Sequence, residues 1–256
     1  MFSTTEGDPL AIVKDGSDNN ELIFVQKEGY KQKKSKVNDQ CKYITLNEGQ
    51  FEQLPSPNIR VLYIAGPSGS GKSTYAAKYI EKYLKLYKDA KLFIFSSLKE
   101  DKTIDHLPSH RITISDDLIH NPIDIQTEIK NNSIVLFDDI DQITSKPLMQ
   151  AINKVRRQIL EIGRHKNIHV VVTSHLICPN ERSMARTLLN EMQSLTIFPS
   201  SGSTYQISYV LKQYYGCSPK QIKHILSMKS RWVTIIKIYP QVILSEKEIT
   251  FMSNII

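Results

Sequence analysis

Residues 66–73 of this chain form a glycine-rich segment, GPSGSGKS. It satisfies the pattern GxxxxGK[ST] in full, and it lies between an apolar stretch, Val61–Ala65, and an amphipathic helical pattern that begins near Thr74. Strand, glycine-rich loop and helix in this order are the context that the motif requires. The sequence therefore predicts a phosphate-binding loop rather than a chance turn.

The residue types of this loop suit a nucleoside triphosphate. Glycines allow the backbone to curl so that successive N–H groups and the helix N-terminus face the phosphates. Lys72 is expected to reach the β- and γ-phosphates, and the Ser73 hydroxyl is expected to ligate Mg²⁺. The predicted nucleotide-binding residues are Gly66, Pro67, Ser68, Gly69, Ser70, Gly71, Lys72, Ser73 and Thr74.

A pair of acids follows a second apolar stretch, Ile134–Phe137. We predict that Asp138 holds Mg²⁺ through water and that Asp139 orients or deprotonates the attacking water, a task that needs a carboxylate beside the γ-phosphate. From the residues alone an alternative stays open, in which Asp139, or Asp141 two residues later, only caps the next turn.

Apolar runs alternate with helix-period segments from residue 61 onward, which is typical of a parallel sheet buried on both faces. The predicted strands are Val61–Ala65, Leu92–Phe95, Ile134–Phe137 and Ile168–Val172. The helix after the third strand is expected to carry Pro147 in its first turn and to end at Gly163 in the left-handed conformation. The fold class is therefore α/β, with a mostly parallel, doubly wound sheet and a ligand site at the carboxyl ends of its strands.

Two prolines, Pro55 and Pro57, mark the predicted domain boundary. Residues 1–58 form an N-terminal appendage with strand-like pieces at Leu22–Val25 and Lys42–Leu46, and residues 59–256 form a P-loop domain with a C-terminal sheet extension. The elements assigned to that extension are Gln206–Leu211, a helix opened by Ser218 and Pro219, and strand-like stretches at Trp232–Tyr239 and Val242–Leu244.

Two further sets of polar residues lie near the ends of the last predicted strand. Thr173, Ser174 and His175 follow it, so Ser174 or His175 could sense the γ-phosphate, although His175 could equally lie on the surface. Arg164 precedes the same strand at its amino end, away from its own nucleotide, and is a candidate arginine finger for a neighbouring subunit. The competing residues are Arg156, Arg157, Arg182 and Arg186, and a plain exposed arginine is the alternative.

Composition indicates a folded protein in a reducing, cytosol-like compartment. The 256 residues are 40% hydrophobic and 23% charged, and no apolar run approaches the roughly 18 residues of a membrane span. Residues 1–20 lack the hydrophobic stretch of a secretion signal, and the three separated cysteines suggest neither disulfides nor a zinc site. The net charge of +7 favours a polyanionic partner, although solvated surface explains it equally well. The basic residues gather after residue 201 and in a short run, Lys31, Lys33, Lys34 and Lys36.

From about Val61 to Glu248 the chain resembles the genome-packaging ATPases of large eukaryotic DNA viruses and virophages, the poxvirus-type branch of the FtsK–HerA superfamily. The motifs that carry the resemblance are GPSGSGKS at 66–73, IVLFDDID at 134–141, RRQILEIGRHKNIHVVVTSH at 156–175, ARTLLNEMQSLTIFP at 185–199 and SRWV at 230–233. The first motif is common to a great many NTPases, whereas the combination is much more specific.

The resemblance implies a RecA-like, ATP-driven motor that needs ATP and Mg²⁺. Its partners would be double-stranded DNA, further copies of the chain in a homo-oligomeric ring, and a capsid or portal-like vertex component, in the host cytoplasm at the viral factory, in the virion, or both. It makes Lys72 and Ser73 the phosphate and magnesium ligands, Asp138 the metal acid, Asp139 the catalytic acid and Arg164 a finger candidate.

The sequence departs from the superfamily's pattern at two places. The superfamily commonly has Glu where this chain has Asp139, so the shorter side chain must come closer to the phosphate or act through another water. It commonly has Gln or Asn at the end of the strand where this chain has Thr173, Ser174 and His175.

Three other functions are compatible with a P-loop. A nucleotide or nucleoside kinase would be expected to carry an arginine-rich lid, and none is evident. A GTP-dependent switch needs an NKxD segment, and the nearest candidate, Asn153-Lys154-Val155-Arg156, lacks the Asp. An adaptor that binds ATP but turns it over poorly is disfavoured by the complete set of Lys72, Ser73, Asp138 and Asp139.

Overall fold

The structure, a computed structural model, describes residues 1–16, 20–26, 41–178 and 182–255, and of residues 182–184 it describes the backbone alone. The predicted lysine run at 31–36 lies outside the described residues. The chain forms two compact units, one of residues 60–197 and one of residues 1–59 with 198–256. The C-terminal segment thus shares a unit with the N-terminal one, and the division into domains 1–58 and 59–256 stays a prediction.

Strands and helices alternate along most of the described chain. The strands are β1 (Phe2–Ser3), β2 (Asp8–Lys14), β3 (Leu22–Val25), β4 (Tyr43–Thr45), β5 (Gln50–Gln53), β6 (Val61–Ala65), β7 (Lys91–Ser96), β8 (Ser109–Thr113), β9 (Ser133–Asp138), β10 (His169–Ser174), β11 (Ser194–Ile197), β12 (Val233–Ile236), β13 (Val242–Ser245) and β14 (Glu248–Phe251). The helices are α1 (Lys72–Leu86), α2 (Asp117–His120), α3 (Lys146–Ile162), α4 (Arg182–Glu191), α5 (Thr204–Tyr215) and α6 (Pro219–Ser227). Short 3₁₀ turns span Ile140–Gln142, Gly163–Lys166 and Met252–Asn254.

The unit of residues 60–197 is built on one parallel sheet with the strand order β11-β6-β10-β9-β7-β8. Every residue of β6, β9, β10 and β11 is buried, which explains why these strands read as continuous apolar runs. All four predicted strands of this unit form within a residue or two of the predicted bounds. The predicted mostly parallel α/β sheet is confirmed.

The register of the sheet brings polar residues together at the carboxyl ends of its strands. Ala65 of β6 pairs with Ser174 of β10, and Ser96 of β7 pairs with Asp138 of β9. Because parallel strands all end at the same edge, the loop after β6 and the acids after β9 lie along that edge, as the sequence predicts.

The two long helices of this unit bury the apolar stripes that their sequences show. Helix α1 buries Ala77, Ile80 and Tyr83, and α3 starts with Pro147 near its N-terminus and buries Ile152 and Ile159. The predicted end of α3 is wrong in one respect. Gly163 has φ −58° and continues as a 3₁₀ turn, and the left-handed residue is Asn167, at φ 53°.

The unit of residues 1–59 and 198–256 contains two antiparallel sheets, β1-β3-β2-β5 and β4-β14-β13-β12. The predicted strand at Leu22–Val25 is confirmed, and Ser218 opens α6 with a capping box completed by Gln221. Gln206–Leu211 lies inside helix α5, because its apolar residues recur at helical spacing. In the described part of the chain, no helix combines the length and apolar character that a membrane crossing requires.

Candidate active site

The loop after β6 has the backbone that a phosphate site needs. Gly69 and Gly71 have φ of +76° and +103°, a region that glycine enters without the steric cost that other residues meet. The Gly66 amide donates to the Ser174 carbonyl at 3.1 Å, which ties the start of the loop to β10. A Cβ at Gly69 would meet nothing within 4 Å, so the loop borders open space there.

Lys72, the first residue of α1, carries a buried ammonium at the centre of the site; the residue is only 5% exposed. Its Nζ lies 3.3 Å from the Pro67 carbonyl oxygen, 3.5 Å from His175 Nδ1 and 3.9 Å from Asp139 Oδ1. A buried ammonium is costly unless anionic or polar groups surround it. The structure therefore brings together Lys72, Asp139 and His175, which the sequence placed on three separate segments.

Asp138 ends β9 with its carboxylate buried between two neighbouring strands. Thr173 Oγ1 donates to Oδ1 at 2.9 Å, and Ser96 Oγ donates to Oδ2 at 3.4 Å. Burial raises the pKa of Asp138, and the negative charge of Asp139 adds to the rise, while the two hydroxyl donors oppose it. A buried carboxylate with a raised pKa is a group that gains from a nearby cation.

Asp139 follows in the left-handed conformation, at φ 44° and ψ 39°. Its backbone N–H donates to Thr173 Oγ1 at 2.9 Å, so one threonine hydroxyl fixes both neighbouring acids. Its Oδ2 lies 3.0 Å from His175 Nε2. The Asp139 side chain makes no capping hydrogen bond to the 3₁₀ turn that follows, which removes the capping alternative for this residue.

Asp141 holds the segment that follows β10. Its Oδ2 accepts from Ser174 Oγ at 2.9 Å, from the His175 amide at 2.9 Å and from the Leu176 amide at 3.4 Å. From β6, the Tyr63 hydroxyl donates to the Leu176 carbonyl at 2.5 Å. These bonds fix the backbone on which the His175 ring stands.

The residues present fit a nucleotide with Mg²⁺. Ser70 Oγ is buried in the loop, and within the described ranges nothing hydrogen-bonds to it. Asp139 Oδ1 is likewise buried without a hydrogen bond from any described residue, although the Lys72 ammonium is near. Buried polar atoms without partners are uncommon in folded proteins, and at a phosphate loop they are the groups that a ligand satisfies.

The candidate finger, Arg164, lies at the opposite edge of the sheet. It is exposed in the 3₁₀ turn Gly163–Lys166, immediately before β10, and the six residues of that strand span about 20 Å. The site loop and the acids follow the other ends of β6 and β9, so the structure does not bring Arg164 to them.

The competing arginines are placed differently. Arg156 is buried in α3 and donates to Asn153 Oδ1 at 2.8 Å, so it is not available to a second subunit. Arg157 and Arg186 are exposed on α3 and α4. Arg182 begins α4, and its side chain lies outside the described part of the structure.

Sequence reasoning missed Ser96, Tyr63 and Gln142 as members of the site, and it named Thr173 without linking it to the two acids. Gln142 Nε2 contacts His175 Nε2 on the side away from Lys72. The signal available in the sequence for Ser96 and Thr173 was a hydroxyl residue at the end of an apolar stretch, whereas their position beside Asp138 is visible only in the structure.

Comparison with known proteins gives a matching family and a relative from a virophage. The model of the ATPase family associated with various cellular activities (AAA) matches residues 62–200. Uncharacterized protein V3 of Sputnik virophage is 46% identical over 222 residues, which cover 85% of this chain and 89% of that protein.

Two solved structures share the fold. The genome packaging NTPase B204 from Sulfolobus turreted icosahedral virus 2, in complex with ATP-gammaS, matches with a TM-score of 0.50 at 12% identity, over 74% of this chain and 98% of that one. EssC (ATPases 2 and 3) from Geobacillus thermodenitrificans matches with a TM-score of 0.51 at 11% identity, over 98% of this chain and 45% of that one. The predicted RecA-like P-loop fold is confirmed.

Proposed function

The chain belongs to the ATPase family associated with various cellular activities (AAA), and from this premise we propose that it is a motor that packages double-stranded DNA into a viral capsid. It is an ATP-hydrolysing P-loop enzyme. The relative from Sputnik virophage and the fold shared with a viral genome packaging NTPase support the more specific assignment to DNA packaging.

Each residue of the site has a task in this proposal. The loop amides and Lys72 hold the phosphates, and Ser73 and Asp138 would hold Mg²⁺, which neutralises charge on the β- and γ-phosphates when bound. Asp139 orients the attacking water and accepts its proton. Thr173 positions both acids, since its hydroxyl donates to one and accepts from the backbone of the other.

The observation that carries the motor proposal is the position of Arg164. Phosphoryl transfer gains about 10³–10⁵ in rate from an arginine that reaches the transferring phosphate. Arg164 is exposed at the amino edge of its sheet, whereas its own phosphate loop follows the carboxyl end of β6. An arginine so placed serves the site of a second copy, which supports a homo-oligomeric ring.

The remaining partners follow from this assembly. A ring of such subunits would surround double-stranded DNA and dock on a capsid or portal-like vertex component. It would work in the host cytoplasm at the viral factory, in the virion, or in both. The chain's net charge of +7 suits a partner that carries one phosphate charge per nucleotide.

The proposal is tested by the ATPase rate at low salt with and without double-stranded DNA of mixed sequence. We expect DNA to raise the rate and the stimulation to disappear at high salt, because a translocase reads the phosphate backbone. Heparin serves as a polyanion control, and a Lys72→Ala variant corrects for contaminating ATPase. A rate that is indifferent to DNA but rises with a nucleoside would favour a kinase instead.

A further inference from the structure

The C-terminal part of the chain contains a long stretch without any acid. Residues 192–245 hold no Asp or Glu, but six Lys or Arg. In a protein that is 23% charged overall, this one-sided charge leaves a local excess of positive charge. Arg231 of the stretch forms an ion pair with Glu246, just beyond it, so the excess lies with the lysines of the stretch.

Helix α5 presents part of this stretch as an exposed face. Tyr205, Tyr209 and Lys212 recur at i, i+4 and i+7, so they form one row on the helix surface. Tyr205 is 78% exposed and Tyr209 is 46% exposed. The opposite side of the helix is buried through Ile207 and Val210, which fixes the direction in which the row points.

Helix α6 adds two cations. It packs against α5 and presents Lys220 and Lys223 to solvent, while Ile225 anchors its other side. In the described ranges, no carboxylate forms an ion pair with Lys212, Lys220 or Lys223. Five exposed donors on two packed helices therefore face solvent without an acid among them.

We propose that Tyr205, Tyr209 and Lys212 of α5, together with Lys220 and Lys223 of α6, form a surface that binds the phosphate backbone of double-stranded DNA. The lysines supply the charge, and the tyrosine hydroxyls donate hydrogen bonds to phosphate oxygens. We call these five residues the acid-free face. The inference rests on the proposed function, because it names the part of the chain that would contact the packaged DNA.

The composition of the acid-free face favours DNA over a protein partner. Protein interfaces are enriched in tyrosine but depleted in lysine relative to the rest of the surface, and lysine is three-fifths of this set. A phosphate backbone, in contrast, takes hydrogen bonds from lysine and tyrosine alike and needs no shaped pocket. Because the three lysines are exposed and form no ion pair with a described carboxylate, DNA binding breaks no ion pair within the described chain.

The test measures the affinity of the full chain for a short labelled duplex of mixed sequence, by fluorescence anisotropy without nucleotide, from about 50 to 200 mM salt. The first variant combines Lys212→Gln, Lys220→Gln and Lys223→Gln. The matched control combines Lys88→Gln, Lys91→Gln and Lys130→Gln, which removes the same charge from exposed positions in the other unit. Because all six lysines are exposed, both variants should fold, and circular dichroism verifies this.

We expect the triple variant to lower the slope of log affinity against log salt by about 2–3, since each phosphate contact contributes about 0.9, while the control keeps the wild-type slope. Tyr205→Phe with Tyr209→Phe should weaken binding without changing the slope, because the hydroxyls carry no charge.

Three results overturn the acid-free face. The triple variant keeps the wild-type slope, or the control loses as much as the triple variant, or the tyrosine variants change only the self-association measured by ultracentrifugation. In each of these the wild type still binds DNA, so the proposed function stands. A wild type that does not bind DNA even at low salt overturns the proposed function as well.

Discussion

The two edges of the parallel sheet in residues 60–197 are built in opposite ways. At the carboxyl edge, Ser70 Oγ, Asp139 Oδ1 and Asp141 Oδ1 are buried and receive no hydrogen bond from the described residues. At the amino edge, the turn that carries Arg164 is instead held by hydrogen bonds from Lys166 and Asn167 to neighbouring segments. A loop that binds a ligand can keep polar atoms unpaired until the ligand arrives, whereas a turn that presents one side chain is stabilised by hydrogen bonds within the chain.

The amino edge shows how such completion works. Lys166 Nζ donates to the carbonyls of Ile125, Gln126 and Ile129 at 2.8, 2.8 and 3.0 Å. The left-handed residue Asn167 donates through Nδ2 to Asn132 Oδ1 at 2.9 Å, just before β9. The turn that carries Arg164 is thus fixed to the segments beside it.

The same edge also fixes the end of α3. The Arg60 guanidinium donates to the carbonyls of Ile159 and Leu160 in the last turn of the helix, where Ile159 also accepts from the Gly163 amide. These bonds hold the C-terminal end of α3, which leads into the turn that carries Arg164. The backbone at Arg164 therefore has a defined position.

The largest loss of ATP hydrolysis is expected at the carboxyl edge of the sheet. Lys72→Ala should abolish ATP hydrolysis but leave the fold intact, because the ammonium lies at the nucleotide site and not in the apolar core. Steady-state ATPase and thermal unfolding measure the two quantities, with Lys78→Ala on the exposed side of α1 as the control. Retained hydrolysis would mean that the site is elsewhere.

The next largest loss is expected for Arg164, at the amino edge, which would act at the active site of a second subunit. Arg164→Ala should lower the ATPase rate by about 10³–10⁵ without weakening nucleotide binding. Mixing inactive Lys72→Ala and inactive Arg164→Ala subunits should restore part of the DNA-stimulated rate, because some interfaces then join an intact loop to an intact arginine. If both variants assemble but the mixture stays inactive, the finger is elsewhere, with Arg157, Arg182 and Arg186 next to test.

A smaller loss of turnover is expected when one carboxylate oxygen of Asp139 is replaced by an amide nitrogen. Asp139→Asn should keep ATP binding, since Ser73 and Asp138 remain, while the turnover rate falls by about 10²–10⁴. Asp141→Asn is the comparison variant, because its carboxylate holds the backbone of residues 174–176 rather than facing the Lys72 ammonium. A greater loss of turnover for Asp141→Asn would reverse the roles assigned to these acids.

The smallest effects are changes in the free energy of unfolding, and they should differ between the two edges. Lys166→Met should lower the free energy of unfolding by about 2–3 kcal/mol, because three carbonyls lose a charged donor. Ser70→Ala should leave the stability of the nucleotide-free protein unchanged or slightly raised, since it removes a hydroxyl that no described residue satisfies. Urea unfolding without nucleotide measures both, and equal losses for the two variants would contradict the comparison of the edges.

The sheet was predictable because its determinants are local. Continuous apolar runs mark strands buried on both faces, and the loop at 66–73 sits between two such patterns. The position of Asp138 and Asp139 at the carboxyl end of β9 was predictable for the same reason, since they follow directly on an apolar stretch, while their roles stay predictions.

The remaining features depend on residues far apart in the sequence. Thr173 fixes the two acids because β10 lies beside β9, and one sequence shows neither the neighbours nor the register. Gly163 was expected to take the left-handed position, but Asn167 takes it, and its side chain donates a hydrogen bond to the distant Asn132. In Gln206–Leu211 a short apolar pattern did not by itself distinguish strand from helix, and burial of Ile207, Val210 and Leu211 on one side favours the helix.

The left-handed backbone at Asp139 limits which sequences a library could sample at this position. For most residues this conformation costs about 1–2 kcal/mol, while Gly, Asn and Asp adopt it more readily. Variants selected only for folding should therefore be enriched in Asp, Asn and Gly and depleted in Val and Ile. Selection for ATP hydrolysis should then retain Asp alone, so the two selections together separate the requirement of the backbone from that of the chemistry.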